Sequence, residues 1–201
     1  MDNPLLSPEV MKNISPLTTP LPQKVLQVSA DLRFAGLVGF WMQLVLGVIS
    51  TVTVLFASSS FIDQTNTANT AGNEFGVFCA VCGLIALGIG IYFSWRYLAI
   101  AKLLRNPEAN QRPNKADTIR LIRLGLMVNL IGMLLTIIGA EAIVGLVLAK
   151  SLANPPGQLN LDPNKLVNSI DLLVIQANTH TIAAHFGGIV ASLLLLNRIT
   201  R

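Results

Sequence analysis

The sequence predicts an all-α integral membrane protein, a bundle of four spanning helices with both termini on the cytoplasmic side. Three observations carry this. The 201 residues are 52% hydrophobic and only 12% charged, and the charges gather between long apolar runs, whereas a soluble domain spreads them along every helix. The apolar runs are long enough to cross a hydrocarbon core of about 30 Å at about 1.5 Å of rise per residue. Finally, the basic residues are segregated: Arg96 to Arg123 holds seven Lys or Arg against Glu108 and Asp117, Ser58 to Asn73 holds none, and Lys150 to Asp171 holds two. Together with Arg198 and Arg201, that bias puts the middle loop and both termini inside, which requires an even number of spans. The length suits one bundle. A pI near 9.4 reflects basic loops beside spans, so the bilayer is the expected partner and nucleic acid is not.

Residues 1–33 read as a flexible proline-rich tail followed by an amphipathic segment. Pro4, Pro8, Pro16, Pro20 and Pro22 interrupt the tail, which lacks the basic head and apolar core of a signal peptide. With Lys12 as its only basic residue beside Asp2 and Glu9, it is not a transit peptide either, and the chain reads as unprocessed and prokaryotic in style. Lys24 to Arg33 spaces Val25, Val28 and Leu32 as a short amphipathic helix would, on the cytoplasmic surface, leading straight into the first span.

The spanning domain covers 34–198, with spans at about 34–57, 75–98, 121–149 and 172–198. Phe34 to Ala57 carries no charge, and its one strongly polar residue is Gln43. A buried amide of this kind usually makes an interhelical hydrogen bond of about 0.6 to 2 kcal/mol. The loop Ser58 to Asn73 is rich in Ser, Thr and Asn. In the second span Gly83, Ala86, Gly88 and Gly90 supply small surfaces for close helix approach. Trp95, Arg96 and Tyr97 end it with groups that settle at an interface.

In the third span Gly125, Asn129, Gly132, Thr136 and Gly139 alternate by four and three, a small polar stripe that implies a tightly apposed neighbour. Glu141 lies about 160° from Gly125 around the helix, off that stripe. If the span ends at Ala140, Glu141 is a solvated boundary group. If it runs to Ala149, Glu141 is intramembrane, where an ionised carboxylate costs about 2.5 to 3.5 kcal/mol unless partnered. Asn154, Pro155, Pro156 and Gly157 then break the helix, and Asp162 followed by Pro163 is a helix-start signal. The fourth helix approaches the membrane amphipathically and enters it near Leu172.

Asn178 to Asn197 carries both histidines. Asn178, Thr181, His185, Gly188 and Ser192 fall in one narrow sector, with His180 and Gly187 on the other side. Five residues apart, His180 and His185 sit about 140° apart on a helix and cannot share one ion. His185 is placed to meet Gln43 or Asn129 across the bundle, either as a hydrogen-bonded packing group or as a titrating or cation-binding group on a pathway. Cys79 and Cys82 share a helix face as a C-x-x-C, read either as packing residues or as ligands for a soft metal that would need help from another helix or subunit. Candidate metal ligands are thus His185, Glu141, Cys79 and Cys82. There is no P-loop, no G-x-S-x-G and no H-E-x-x-H, so neither enzyme chemistry nor a cofactor is expected.

The run N-T-x-T-I-x-A-H-F at Asn178 to Phe186, followed by Ser192, Leu193, Leu195, Leu196 and Arg198, resembles an uncharacterised cyanobacterial and plastid membrane family, the DUF3611-like proteins. Its plant members look like the small four-helix subunit of the chloroplast inner-envelope translocon, also called a permease. That resemblance implies a membrane transport protein, with iron or another cation as one cargo and protein import as the rival account. It also implies a homo-oligomer or a subunit of a larger photosynthetic or translocation complex, in a cyanobacterial plasma or thylakoid membrane. A non-catalytic scaffold is the alternative, with the small-residue stripes and the basic loop as its contact surfaces.

Overall fold

Burial recurs along the third helix, Lys115–Ala153, at Thr118, Ile122, Gly125, Asn129, Gly132, Thr136, Gly139 and Ile143, a strict alternation of four and three. Such a 3.5-residue repeat keeps one seam facing its neighbours and is the signature of left-handed, knobs-into-holes packing. The fourth helix, Ser169–Thr200, repeats it through Asp171, Val174, Asn178, Thr181, His185, Gly188, Ser192, Leu195 and Ile199. The computed structural model describes residues 21–62, 71–106, 112–153 and 169–200. Within them lie four helices, α1 (Gln23–Ile62), α2 (Ala71–Leu104), α3 (Lys115–Ala153) and α4 (Ser169–Thr200), each containing a stretch long and apolar enough to cross a bilayer. There is no strand among the described residues. Residues 1–20 of the proline-rich tail, residues 63–70 of the loop before α2 and the break and helix-start signals from Asn154 to Pro163 lie outside them, while the two ends of the expected Ser58 to Asn73 loop are helical, α1 running to Ile62 and α2 starting at Ala71.

Consecutive helices pack side by side in a ring, α4 closes against α1, and α2 and α4 also touch across the diagonal. The outward faces are apolar and suit lipid: Trp41, Phe56, Ile85, Leu134 and Leu193 are each at least half exposed. At the basic end, where α1 begins and α4 finishes, Leu32, Tyr97, Ile100, Ile122, Leu195 and Ile199 form one apolar cluster. At the far end Ala57, Ile143 and Val174 form another. Lys150 closes that end by donating to Asp171 at 2.7 Å, tying the last turn of α3 to the first of α4.

Three sequence expectations are revised. Lys24 to Arg33 is not a separate surface helix but the first turns of α1. Ser29 and Leu32 continue the buried spacing, and Ser29 donates to the Ala101 carbonyl at 2.7 Å while accepting from Arg105 Nε at 3.0 Å. Tyr97 is not interfacial: α2 continues past it to Leu104, and its hydroxyl meets Ser192 at 3.3 Å. Most of the second span's small residues do supply close contacts, but Gly88 faces outward, with open space where a Cβ would stand.

Candidate functional site

Polar side chains are costly inside a bilayer unless they find one another, and here they meet in one layer between the two apolar clusters. Its core is Gln43 on α1, Asn129 on α3 and His185 on α4, each 2% exposed or less. Gln43 Nε2 donates to Asn129 Oδ1 at 2.7 Å, and Gln43 Oε1 accepts from Ser94 Oγ on α2 at 2.8 Å. Asn129 Nδ2 donates to the Gly125 carbonyl at 2.9 Å, so the amide is anchored to its own helix. His185 reaches Asn129 Oδ1 through Nδ1 at 3.1 Å and the Gly83 carbonyl on α2 through Nε2 at 3.2 Å. Both diagonals of the ring are therefore bridged, α1 to α3 by the two amides and α2 to α4 by the imidazole.

Glycines make room for this layer. A Cβ at Gly132 would strike the His185 ring and stand 2.8 Å from that of Ala86, and one at Gly188 would strike Gln43 Nε2. The imidazole fills what any larger residue at position 132 would take. Toward the far end, Ser50 and Thr181 pair at 2.7 Å, and beyond them lies Asn178. Toward the basic end, Tyr97 and Ser192 pair. On α4 His185 stands 14 residues from Asp171 and 13 from Arg198, about 20 Å of helix either way. It is central.

The sequence's packing face is thus assembled inside the bundle: Asn178, Thr181, His185, Gly188 and Ser192 are all buried, as are Gly125, Asn129, Gly132 and Gly139. That corrects the expectation that these stripes contact other subunits. Gly139 abuts the Cys79 side chain and the Gly76 carbonyl, and Gly125 abuts Tyr97 and Phe93. The stripes are spent on neighbouring helices of the same chain.

The candidate metal ligands are not brought together. Cys79 is buried against Gly139 and Cys82 is half-buried, both as free thiols. Glu141 is exposed on the outer face of α3. It lies 18 residues beyond Arg123, about 27 Å along the helix and so near the far edge of a core of about 30 Å, which favours the boundary reading. His185 has both ring nitrogens engaged. Among the described residues no three His, Cys, Asp or Glu side chains gather as a metal cluster would require. His180, off the interior face, meets Gln176 at 3.4 Å.

Sequence reasoning missed Ser94, Ser50 and the pairing of Lys150 with Asp171. A signal existed for Ser50, which lies seven residues after Gln43 and so on its face. Among the described residues Asn178 stands apart: its Nδ2 is buried with no partner in that set, and an unmet buried donor costs about 1 to 3 kcal/mol. Asn178→Leu is accordingly expected to raise the bundle's stability by about 1 kcal/mol, read as a higher melting midpoint of the helical signal in detergent. A lower midpoint would show that the amide is satisfied in the membrane.

Comparison with known proteins places these features. Residues 22–200 match the family described as Protein of unknown function (DUF3611). The chain is 31% identical over 170 residues to Protein TIC 21, chloroplastic, of Arabidopsis thaliana, an alignment covering 82% of this chain and 55% of that protein. It therefore spans about half the length of that curated relative. No solved structure matches it.

Proposed function

The chain belongs to the DUF3611 family, and from that membership and the polar layer we propose that it is a multi-pass membrane transport protein of the permease or translocon kind. The cargo proposed is iron or another divalent cation, moved across a cyanobacterial plasma or thylakoid membrane. The observation that carries this reading is the Gln43–Asn129–His185 layer, set at mid-depth between two apolar layers. Helix association in a bilayer already uses small residues, van der Waals contact and interhelical hydrogen bonds. His185, bonded to the Asn129 amide and the Gly83 carbonyl at this depth, adds an ionisable group, and intramembrane ionisable groups mark transport pathways. Because packed side chains fill the interior at both ends, the working unit is an oligomer or a complex, with passage completed between chains.

The expected result is that proteoliposomes holding the purified chain take up ferrous iron faster than protein-free vesicles, and that His185→Ala lowers uptake to the leak. Wild-type uptake no faster than the leak would overturn the transport reading.

A second reading is favoured by the same filled interior: a non-catalytic scaffold or assembly subunit whose lipid-facing surfaces pack beside larger complexes. What co-purifies from native membranes separates the two, because a scaffold is recovered with its complex and a self-sufficient transporter is not.

A further inference from the structure

The two ring nitrogens of His185 meet groups of one kind. Asn129 Oδ1 lies 3.1 Å from Nδ1 and the Gly83 carbonyl oxygen 3.2 Å from Nε2, and both are acceptors. A neutral imidazole has one N–H and one lone pair, so in that form it satisfies one oxygen and turns a lone pair on the other. With a proton on each nitrogen it donates to both.

The surrounding bonds fix this arrangement. Turning the Asn129 amide over would offer His185 a donor but would set Oδ1 against the Gly125 carbonyl, which Nδ2 now meets at 2.9 Å. It would also oblige Gln43 to turn, since Gln43 Nε2 donates to Asn129 Oδ1 at 2.7 Å. Against the ring stand Gly83 from α2 and Asn129 and Gly132 from α3, with Gln43 from α1 and Ala86 from α2 beside them. None of them carries a charge or titrates. Cys79 is held against Gly139, two turns along α3 from Gly132, and Tyr97 is in the pair with Ser192. The proton state of the ring is therefore coupled to geometry, not to a counter-ion.

We propose that His185 is a proton-binding site, in which the ring holds a second proton between Asn129 and Gly83 and releases it only as the contact of α4 with α2 and α3 rearranges. A charge so placed is opposed by its low-dielectric surroundings, which makes the second proton exchangeable. Its release to water leaves one N–H and a lone pair that repels whichever oxygen it faces, and relief comes from moving Asn129 or shifting α4. Along the buried face of α4 toward the far end, polar groups recur at Thr181 with Ser50, at Asn178 and, beyond the apolar Val174, at Asp171 with Lys150. This inference does not depend on the cargo or on the transport reading.

The test is solid-state 15N NMR of the full chain in phosphatidylcholine and phosphatidylglycerol vesicles, with labelled histidine and with His180→Gln to leave one ring. Between about pH 5 and pH 9, the range bracketing histidine's ordinary titration, the expected spectrum shows both nitrogens protonated at the acid side and one proton lost toward the alkaline side. The Asn129 side-chain resonance is expected to move in the same step, and in a His185→Gln chain it no longer moves. A ring that stays singly protonated in one tautomer over the whole range overturns the proposal. So does an Asn129 resonance that keeps its pH dependence without His185.

Discussion

Gly132→Leu is expected to leave no stable bundle. The new side chain would enter the volume of the His185 ring, a Cβ alone already colliding with it, and neither α2 nor α4 can back away without breaking the bonds that His185 makes. Overpacking costs about 1 to 3 kcal/mol, and the stranded amide and imidazole add about 1 to 3 kcal/mol for each unmet group. Against a total stability of about 5 to 15 kcal/mol, the loss is large. Melting or SDS titration in detergent, read by helical circular dichroism, should show a lost or strongly lowered transition. Gly145→Leu and Gly88→Leu are the controls, because nothing lies within 4 Å of a Cβ at either site. A Gly132→Leu variant as stable as these would mean that the ring sits elsewhere.

Asn129→Leu should be nearly as damaging, by a different route. Leucine approximates the size of asparagine, so packing is roughly kept, but Gln43 Nε2 and His185 Nδ1 both lose the oxygen they share. Two buried groups left unmet cost about 2 to 6 kcal/mol together. The double substitution Gln43→Leu with Asn129→Leu should recover part of that loss, since removing both partners of a buried bond is far cheaper than removing one. No recovery in the double variant would mean that Gln43 and Asn129 do not interact.

The residues of this layer were legible one by one, and their mutual arrangement only in part. Spacing along α3 and α4 put Asn129 and His185 on interior faces, and the shortage of polar residues in the first span left Gln43 as their natural partner. Helical periodicity reports which face is buried but not the axial offset between two helices. For that reason Gly83 as acceptor for His185, Ser94 as donor to Gln43 and the small-residue contact of Gly132 with the ring came only from the structure. The same blindness left the stripes open to the scaffold alternative's use of them as contact surfaces: a small-residue face demands a close neighbour without saying whether that neighbour belongs to the same chain. Tyr97 misled for another reason. Aromatic residues beside arginine usually mark an interface, but α2 runs on for seven residues after it, and those turns carry the boundary outward. Residue type alone singles out the metal candidates, and the helix faces that carry them do not converge.

The polar layer has one more consequence, for how the chain is assembled in a bilayer. Lipid tails are as apolar as leucine, so two spans that slip past each other by seven residues, about 10 Å, bring equivalent heptad faces together again and lose little in apolar contact. The penalty for slipping falls on the polar contacts between helices, above all on Gln43, Ser94, Asn129 and His185, which find their partners at a single relative height. One layer thus acts as a depth gauge for all four helices, and the hairpin of α1 and α2 cannot lock against that of α3 and α4 until every span has been inserted to its final level.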